Sequence, residues 1–320
     1  MQAAITRASL IGVLCAIGAS FFFSFNDMAI KFLSDGYALH QVVLIRSVIG
    51  MGFLLVILVP FEGGFQALKT KRLGIHLLRG LSVVFANMTF FLGLAAMPLA
   101  DAVAIFFISP LVITAFSVIF LGETVGPRRW AAVGVGMLGV IVMMRPGSGT
   151  FQMAAFLPLA AAFGYAALHT MTRKIGVTEK ATTMTFYIQV TFILVSGAIG
   201  LGIGDGRFAG SGDPSLDFLL RSWTWPTWGD LPIFVVIGVG STFGGYLISQ
   251  AYRLAEAGLA APFEYIAMPL AIFWGVVVFD EWPDLTAWIG IALIIGGGLY
   301  IFWRETIVGS GFAARKPKRR

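Results

Sequence analysis

Four polar or charged side chains lie inside long apolar stretches, where such groups bind a charged solute, carry protons or bond a neighbouring helix. They are Asn26, Asp27, Arg46 and Glu264. An ionisable group in the core of a bilayer costs several kcal/mol, so it usually faces a cavity or a partner. Asp27 and Arg46 each lie about 10 Å from the same short turn, which predicts that they face each other. A structural pair and a pair that contacts the solute both remain open.

Neutral hydrogen-bonding side chains form a second candidate group at membrane depth, where they either bind a solute or bond a neighbouring helix. These are Asn87, His169, Gln189, Tyr246 and Tyr265. His169 lies about 6 Å from the predicted end of its helix, so an interfacial histidine competes with a proton carrier. Lys31 competes with Arg46 as the partner of Asp27, because it follows Asp27 by one turn on the same helix face.

The sequence lacks the motifs of the common enzyme classes. It contains no G-x-x-x-x-G-K-[ST] loop for ATP phosphates, no H-E-x-x-H and no evident Ser/His/Asp arrangement. The single cysteine, Cys15, excludes an intrachain disulfide and a cysteine metal cage. We therefore predict no catalytic residue, no metal and no cofactor, and we expect any transport to be either facilitated or driven by a proton or exchange gradient.

The composition indicates the environment of these side chains, a lipid bilayer and not water. Of the 320 residues, 58% are hydrophobic and only 12% are charged, with a mean hydropathy of +0.88. Soluble domains are roughly 45–50% apolar and about 25% charged. The net charge of +6 comes mainly from basic residues at the ends of apolar runs and in the tail, which excludes nucleic acid as a partner. The predicted partners are the lipid bilayer and a small-molecule substrate.

The apolar runs predict an all-α integral membrane protein with ten transmembrane helices. A crossing helix needs about 20 apolar residues, and β-barrel strands would alternate apolar and polar residues instead. The predicted spans are 9–33, 40–60, 74–97, 100–121, 128–145, 151–173, 181–204, 231–253, 258–279 and 285–303.

Basic residues predict the orientation of these spans. With both termini in the cytoplasm, 17 of the 22 Lys and Arg residues lie on the cytoplasmic side, as the positive-inside rule requires. This arrangement predicts a multi-pass protein of the cell inner membrane. The long segment from Asp205 to Asp230 then lies outside, where its tryptophans favour the headgroup zone. A lid over the transport pathway is the second interpretation of this segment.

The two halves of the chain resemble each other. Corresponding positions are Leu99 and Leu259, Pro110 and Pro269, Glu123 and Glu281, and Trp130 and Trp288. These matches predict a five-helix repeat in residues 1–150, a second in 151–305, and a basic cytoplasmic tail in 306–320. Because each copy has an odd number of spans, the second copy enters the membrane inverted, as in many secondary transporters.

The segment Leu121-Gly-Glu-Thr124, followed by Trp130 and Gly134, resembles the drug/metabolite transporter superfamily, EamA type. Pro110 in the middle of its helix and Leu78-Arg-Gly80 at the start of another fit the same pattern. The resemblance covers almost the whole chain. It implies a ten-helix, two-repeat carrier that moves small metabolites by alternating access, in a family that includes exporters of amino acids and importers of vitamins.

Three functions follow from these observations. Mixed charge at Asp27, Arg46 and Glu264 favours a transporter for an amino acid or similar zwitterion. Family resemblance alone suggests a riboflavin-like vitamin instead. A membrane scaffold or enzyme is the alternative from another class, and it predicts no site between the repeats. A homodimer is compatible with the sequence.

Overall fold

A computed structural model describes residues 7–122, 127–145, 153–175, 179–254 and 263–308. Among these residues every regular element is a helix and none is a strand. Glu123, the predicted repeat boundary at residue 150 and the tail beyond residue 308 lie outside the described residues. The all-helical character of the predicted fold is thus confirmed for the described part of the chain.

Within its described residues, the first half of the chain contains six helices: α1 (Arg7–Leu33), α2 (Leu39–Phe53), α3 (Leu73–Ala96), α4 (Leu99–Phe106), α5 (Ser109–Leu121) and α6 (Pro127–Met144). Helix α2 continues through a π-helical turn, Leu54–Leu58, and a last short turn, Val59–Phe61.

The described residues of the second half form six further helices: α7 (Phe156–Ile175), α8 (Ala181–Ile203), α9 (Pro214–Leu220), α10 (Leu231–Leu254), α11 (Ala267–Phe279) and α12 (Leu285–Val308). Across the described residues, seven helical stretches are long and apolar enough to cross a membrane, with α4 and α5 counted as one. Three shorter apolar helices, at 130–144, 267–279 and 285–297, accompany them. The chain is therefore a multi-pass membrane protein.

Two of the predicted spans are interrupted. The span predicted over 100–121 breaks at Phe107 and Ile108, and Pro110 lies in the first turn of α5. The span predicted over 258–279 is helical at Phe263 and Glu264, turns at Tyr265, and resumes as α11. Proline fits the first turn of a helix because the amide it lacks would have no partner there. Pro110 and Pro269, which lies in the first turn of α11, are therefore at the start of a new helix and do not merely bend one.

Residues 205–230 lie at one end of the bundle, which we call the loop face; the opposite end is the terminal face. This segment is more ordered than predicted, because α9 forms within it with Asp213 as its N-cap. The ring of Phe218 is 1% exposed, and the Ser215 hydroxyl donates to the Leu92 carbonyl of α3 at 2.8 Å. The segment therefore packs onto the helices, while Trp225, 95% exposed, projects away from them.

Helices α6 and α12 pack through glycine. A Cβ atom on Gly139 would lie 3.0 Å from the Gly290 carbonyl oxygen, and one on Gly297 would lie 3.0 Å from the Ala132 carbonyl oxygen. Both distances are too short for an ordinary side-chain contact. The two backbones therefore touch at two levels, a contact that small residues permit in membranes.

Candidate functional site

Arg46 of α2 lies at the centre of a buried polar cluster. Its Nη1 donates to the Asn26 side-chain oxygen of α1 at 3.1 Å, and its Nη2 donates to the Asn87 oxygen of α3 at 3.4 Å. The guanidinium also lies 5.4 Å from the ring of Phe91 and 5.2 Å from that of Phe192. Arg46 is only 3% exposed, so amide oxygens and ring faces replace water around its charge.

Asp27 does not form the direct ion pair with Arg46 that was expected. No ion pair within 4.0 Å joins these two described side chains, and the Asn26 amide, which donates to the Asp27 carboxylate at 3.3 Å, links them. The two charges still act on each other electrostatically. Successive residues on a helix point about 100° apart, so only one of Asn26 and Asp27 can face α2.

A row of aromatic rings connects this cluster to Glu264. We call Phe91, Phe90, Phe106 and Tyr165 the aromatic row; successive ring centroids lie 5.8, 5.0 and 5.2 Å apart. The Tyr165 hydroxyl donates to Glu264 Oε2 at 3.3 Å. These separations suit favourable ring–ring contacts. The row thus joins a buried cation at one end to a carboxylate at the other.

The two helix breaks meet beside the aromatic row. Phe107 follows Phe106 at the first break, and its ring lies 5.1 Å from that of Tyr265 at the second. Tyr265 is 8% exposed, and its hydroxyl makes no hydrogen bond to any described residue. Buried polar groups are usually satisfied, so this hydroxyl is available to a solute or water. His169 joins the group by packing on Tyr165 at 4.3 Å.

Gln189 and Tyr246 lie apart from this group. Gln189 of α8 donates to the Thr242 hydroxyl of α10 at 2.5 Å, in a fully buried contact between two helices. The Tyr246 hydroxyl donates to Glu62 Oε1 at 3.0 Å near the terminal face. Both contacts are interhelical bonds, the other role considered for these side chains.

Glu62 was missed by sequence reasoning because it lies just past the end of a span. Its Oε1 also accepts from the Gln250 amide at 2.8 Å, and its Oε2 accepts from the Thr182 hydroxyl at 2.9 Å. Lys180 donates to the Glu62 carbonyl oxygen at 2.6 Å. The end of α2 is thereby tied to the start of α8 and the end of α10 at the terminal face.

Lys31 bonds across the bundle and not to Asp27. Its Nζ lies 2.8 Å from Glu281 Oε1 and donates to the Met97 carbonyl at 2.6 Å. Glu281 Oε2 in turn accepts from the Leu99 backbone N–H at 2.9 Å. The pair therefore holds together the ends of α1, α3 and α11 and the start of α4, all at the loop face. The sequence presented Glu281 only as the counterpart of Glu123.

The loop segment is fastened to the same face. The Tyr37 hydroxyl donates to the Asp230 carboxylate at 2.6 Å, and Gln41 of α2 exchanges hydrogen bonds with the backbone of Thr224. The Tyr37 hydroxyl, followed by that of Thr227, holds the pKa of the Asp230 carboxyl below its ordinary value. Among the described residues, the Lys31–Glu281 pair and these loop contacts together hold the loop face closed.

Comparison with known proteins shows which family the first half of the chain resembles. Residues 10–145 match the EamA-like transporter family. A riboflavin transporter from Rhizobium johnstonii is 27% identical over 297 residues, covering 93% of this chain and 92% of that protein. An S-adenosylmethionine uptake transporter from Rickettsia prowazekii is 27% identical over 88% of this chain and 89% of that one.

A pseudopaline exporter from Pseudomonas aeruginosa is 28% identical over 91% of this chain and 93% of its own length. A solved crystal structure superimposes with a TM-score of 0.65 at 17% identity, covering 98% of this chain and all of that one. That likeness supports the fold alone. The matches confirm the resemblance drawn from Trp130, Gly134 and Pro110, and they identify the relatives as transporters of small molecules and not as enzymes.

Proposed function

Because the chain carries an EamA-like transporter domain, we propose that it transports a small organic metabolite that combines a flat ring with polar or charged groups. The aromatic row between Arg46 and Glu264 is the observation that carries this proposal. Aromatic side chains bind planar rings by offset stacking or by edge contacts, and the charged ends suit polar substituents. The riboflavin transporters among the relatives support the vitamin alternative raised from the sequence.

An amino acid or other small zwitterion is the second candidate. The guanidinium of Arg46 suits a carboxylate, and the carboxylates of Glu264 and Asp27 suit an ammonium group. Such a solute would leave the aromatic row without a role, which is why we rank it second.

The proposed architecture is ten spans in two inverted five-helix repeats, residues 1–150 and 151–305. Seven long apolar stretches with three shorter apolar helices support this number. The two breaks, near Phe107 and near Tyr265, lie at corresponding positions of the two copies. Transporters place binding sites where discontinuous helices of two repeats meet, and alternating access would expose this site to each face in turn.

The proposed orientation has both termini and the terminal face in the cytoplasm, with the loop face outside the inner membrane. The positive-inside distribution of Lys and Arg supports it, with the tail 306–320 on the cytoplasmic side. A proton or exchange gradient supplies the driving force in this proposal.

Transport by the purified protein in lipid vesicles tests the substrate class. We expect labelled riboflavin, or S-adenosylmethionine as a second ring-bearing probe, to enter the vesicles, while alanine does not. The Phe106→Leu substitution removes a ring from the aromatic row and should lower that uptake about tenfold. Phe120→Leu, which removes a ring that is 63% exposed, is the matched control and should leave uptake unchanged. Uptake of alanine alone would favour the zwitterion instead.

Replacing Glu264 with Gln tests the carboxylate end of the row. The amide keeps the size of the side chain and its contact with Tyr165 but loses the charge, so we expect uptake to fall about tenfold with little change in thermal stability. Tyr165→Phe, which removes only the hydroxyl, should have a smaller effect. Unchanged uptake with an unchanged pH profile in the Glu264→Gln variant would show that this carboxylate binds neither substrate nor protons.

A further inference from the structure

A small cavity of about 170 Å³ opens at the loop face beside the Lys31–Glu281 pair. Its wall contains three carboxylates, those of Asp101, Glu281 and Asp284, together with Arg145. Asp101 is the third residue of α4 and is 7% exposed. None of the chemistry assigned above involves Asp101, and the sequence analysis did not select it.

Both cations of this region are already paired. Lys31 lies 2.8 Å from Glu281, and Arg145 lies 2.5 Å from Asp284. Hydrogen bonds from the backbone N–H of Ala287, and then from Arg145, hold the pKa of the Asp284 carboxyl below its ordinary value, so Asp284 keeps its charge. Asp101 makes no hydrogen bond and no ion pair within 4.0 Å to any described residue, although all four charged neighbours act on it electrostatically.

The charged side chains around the cavity do not balance. Three carboxylates and two cations leave one surplus negative charge, and at Asp101, which is 7% exposed, an unneutralised carboxylate is disfavoured. Metal cations such as Ca²⁺ require several oxygen ligands at once, and at Asp101 the nearby oxygens belong to carboxylates that are already paired. A single proton removes the surplus with no further ligand.

We propose that Asp101 is a proton-binding site at the loop face, and that its protonation stabilises the closed state of that face. The inference rests on the alternating opening contained in the proposed function. When the face is closed, the protonated Asp101 is neutral, and the charges of Glu281 and Asp284 are balanced by those of Lys31 and Arg145. When the face opens, water hydrates the Asp101 carboxylate and the proton leaves. Because the closed state binds the proton more tightly, acid favours closure and alkali favours opening.

Thiol labelling of the protein in nanodiscs tests this without any substrate. Ala100 lines the same cavity and is 2% exposed, so Ala100→Cys in a Cys15→Ser background reports opening. Rates of maleimide labelling are divided by those of Ala209→Cys, an exposed residue of the loop segment, which corrects for the ordinary ionisation of an exposed thiol. We expect the normalised rate to rise about tenfold from about pH 5 to about pH 8.

Two substitutions then separate a proton site from a packing role. Asp101→Asn mimics the protonated side chain and should label slowly at every pH. Asp284→Asn removes a neighbouring negative charge, which favours the ionised form of Asp101, so the rise should move to lower pH. Asparagine also caps helices well, so α12 should keep its start. The second variant is informative even if Asp101→Asn does not fold.

A pH dependence that survives in folded Asp101→Asn would overturn the proposal, as would an Asp284→Asn profile that coincides with the parent. Replacing Na⁺ by K⁺ at fixed pH should leave the rate unchanged. A response to Na⁺ would assign the site to that ion and contradict the proton. Because labelling requires no solute, failure of the riboflavin experiment would leave this result intact.

Discussion

Replacing Arg46 with Gln is expected to reduce transport at least about a hundredfold, the effect of losing a charge-assisted contact of roughly 3 kcal/mol. The guanidinium supplies two donors to amide oxygens of α1 and α3 and packs between two rings, and glutamine matches neither property. Initial rates of riboflavin uptake into vesicles measure the loss. Arg46→Lys keeps the charge but not the planar fork, so its rate should be intermediate.

Stability measurements on the same variants identify the electrostatic partner of Arg46. Removing this charge leaves the nearby Asp27 carboxylate unbalanced, which lowers the stability even though Asn26 lies between the two side chains. We expect the double variant Asp27→Asn, Arg46→Gln to be more stable than Arg46→Gln alone, because the leftover charge is gone. Additive losses of unfolding free energy would mean that Asn26 and Asn87 screen the two charges completely. Transport should stay low in the double variant.

A disulfide between α4 and α11 is expected to stop transport. A Cβ atom on Gly275 would lie 4.0 Å from the Cβ of Leu99, within the range that disulfides require. Oxidising the variant Leu99→Cys, Gly275→Cys in a Cys15→Ser background should lower uptake at least about tenfold, because α4 and α11 belong to different proposed repeats and must separate when the loop face opens.

Reduction of the disulfide should restore most of the uptake, and each single variant should be insensitive to oxidant. Leu99 is fully buried, so the reduced double variant is the reference for any loss of core packing. A fully oxidised protein that transports normally would show that these two helices move together throughout the cycle.

Periodicity and hydropathy were sufficient to predict most helix positions. Eleven of the twelve described helices fall on predicted spans, because about 20 apolar residues leave few alternatives in a bilayer. The interruptions at Phe107 and Tyr265 were harder to predict, since proline in a span signals a kink as readily as a new helix start. Helix α9 escaped prediction because its seven residues are too few for a periodic signal, and its position depends on the burial of Phe218.

The charged side chains of the candidate site were selected from the sequence, but the aromatic row and the pairings were not. The depth of a side chain in the membrane follows from the number of residues between it and the end of its helix. This number places Asp27 and Arg46 at the same depth. The rotation of each helix depends on all its neighbours, so the sequence could not reveal that Asn26 faces Arg46 or that Lys31 reaches Glu281. Asp101 lies in an alanine-rich turn at the start of a span. A carboxylate at that position usually indicates an ordinary helix N-terminus, so the sequence did not distinguish Asp101.

The glycine contacts between α6 and α12 bear on how the two proposed repeats can move. One of these helices belongs to each repeat, yet their backbones touch at Gly139 with Gly290 and at Ala132 with Gly297. Ridges this close cannot slide past each other without collision. We therefore expect the pair to form a fixed frame made from both proposed repeats, against which the remaining helices would rotate during transport. Helices of both repeats, including α4 and α11, would then move relative to this frame, and a fluorophore on α6 or α12 would provide a fixed reference for measuring that rotation.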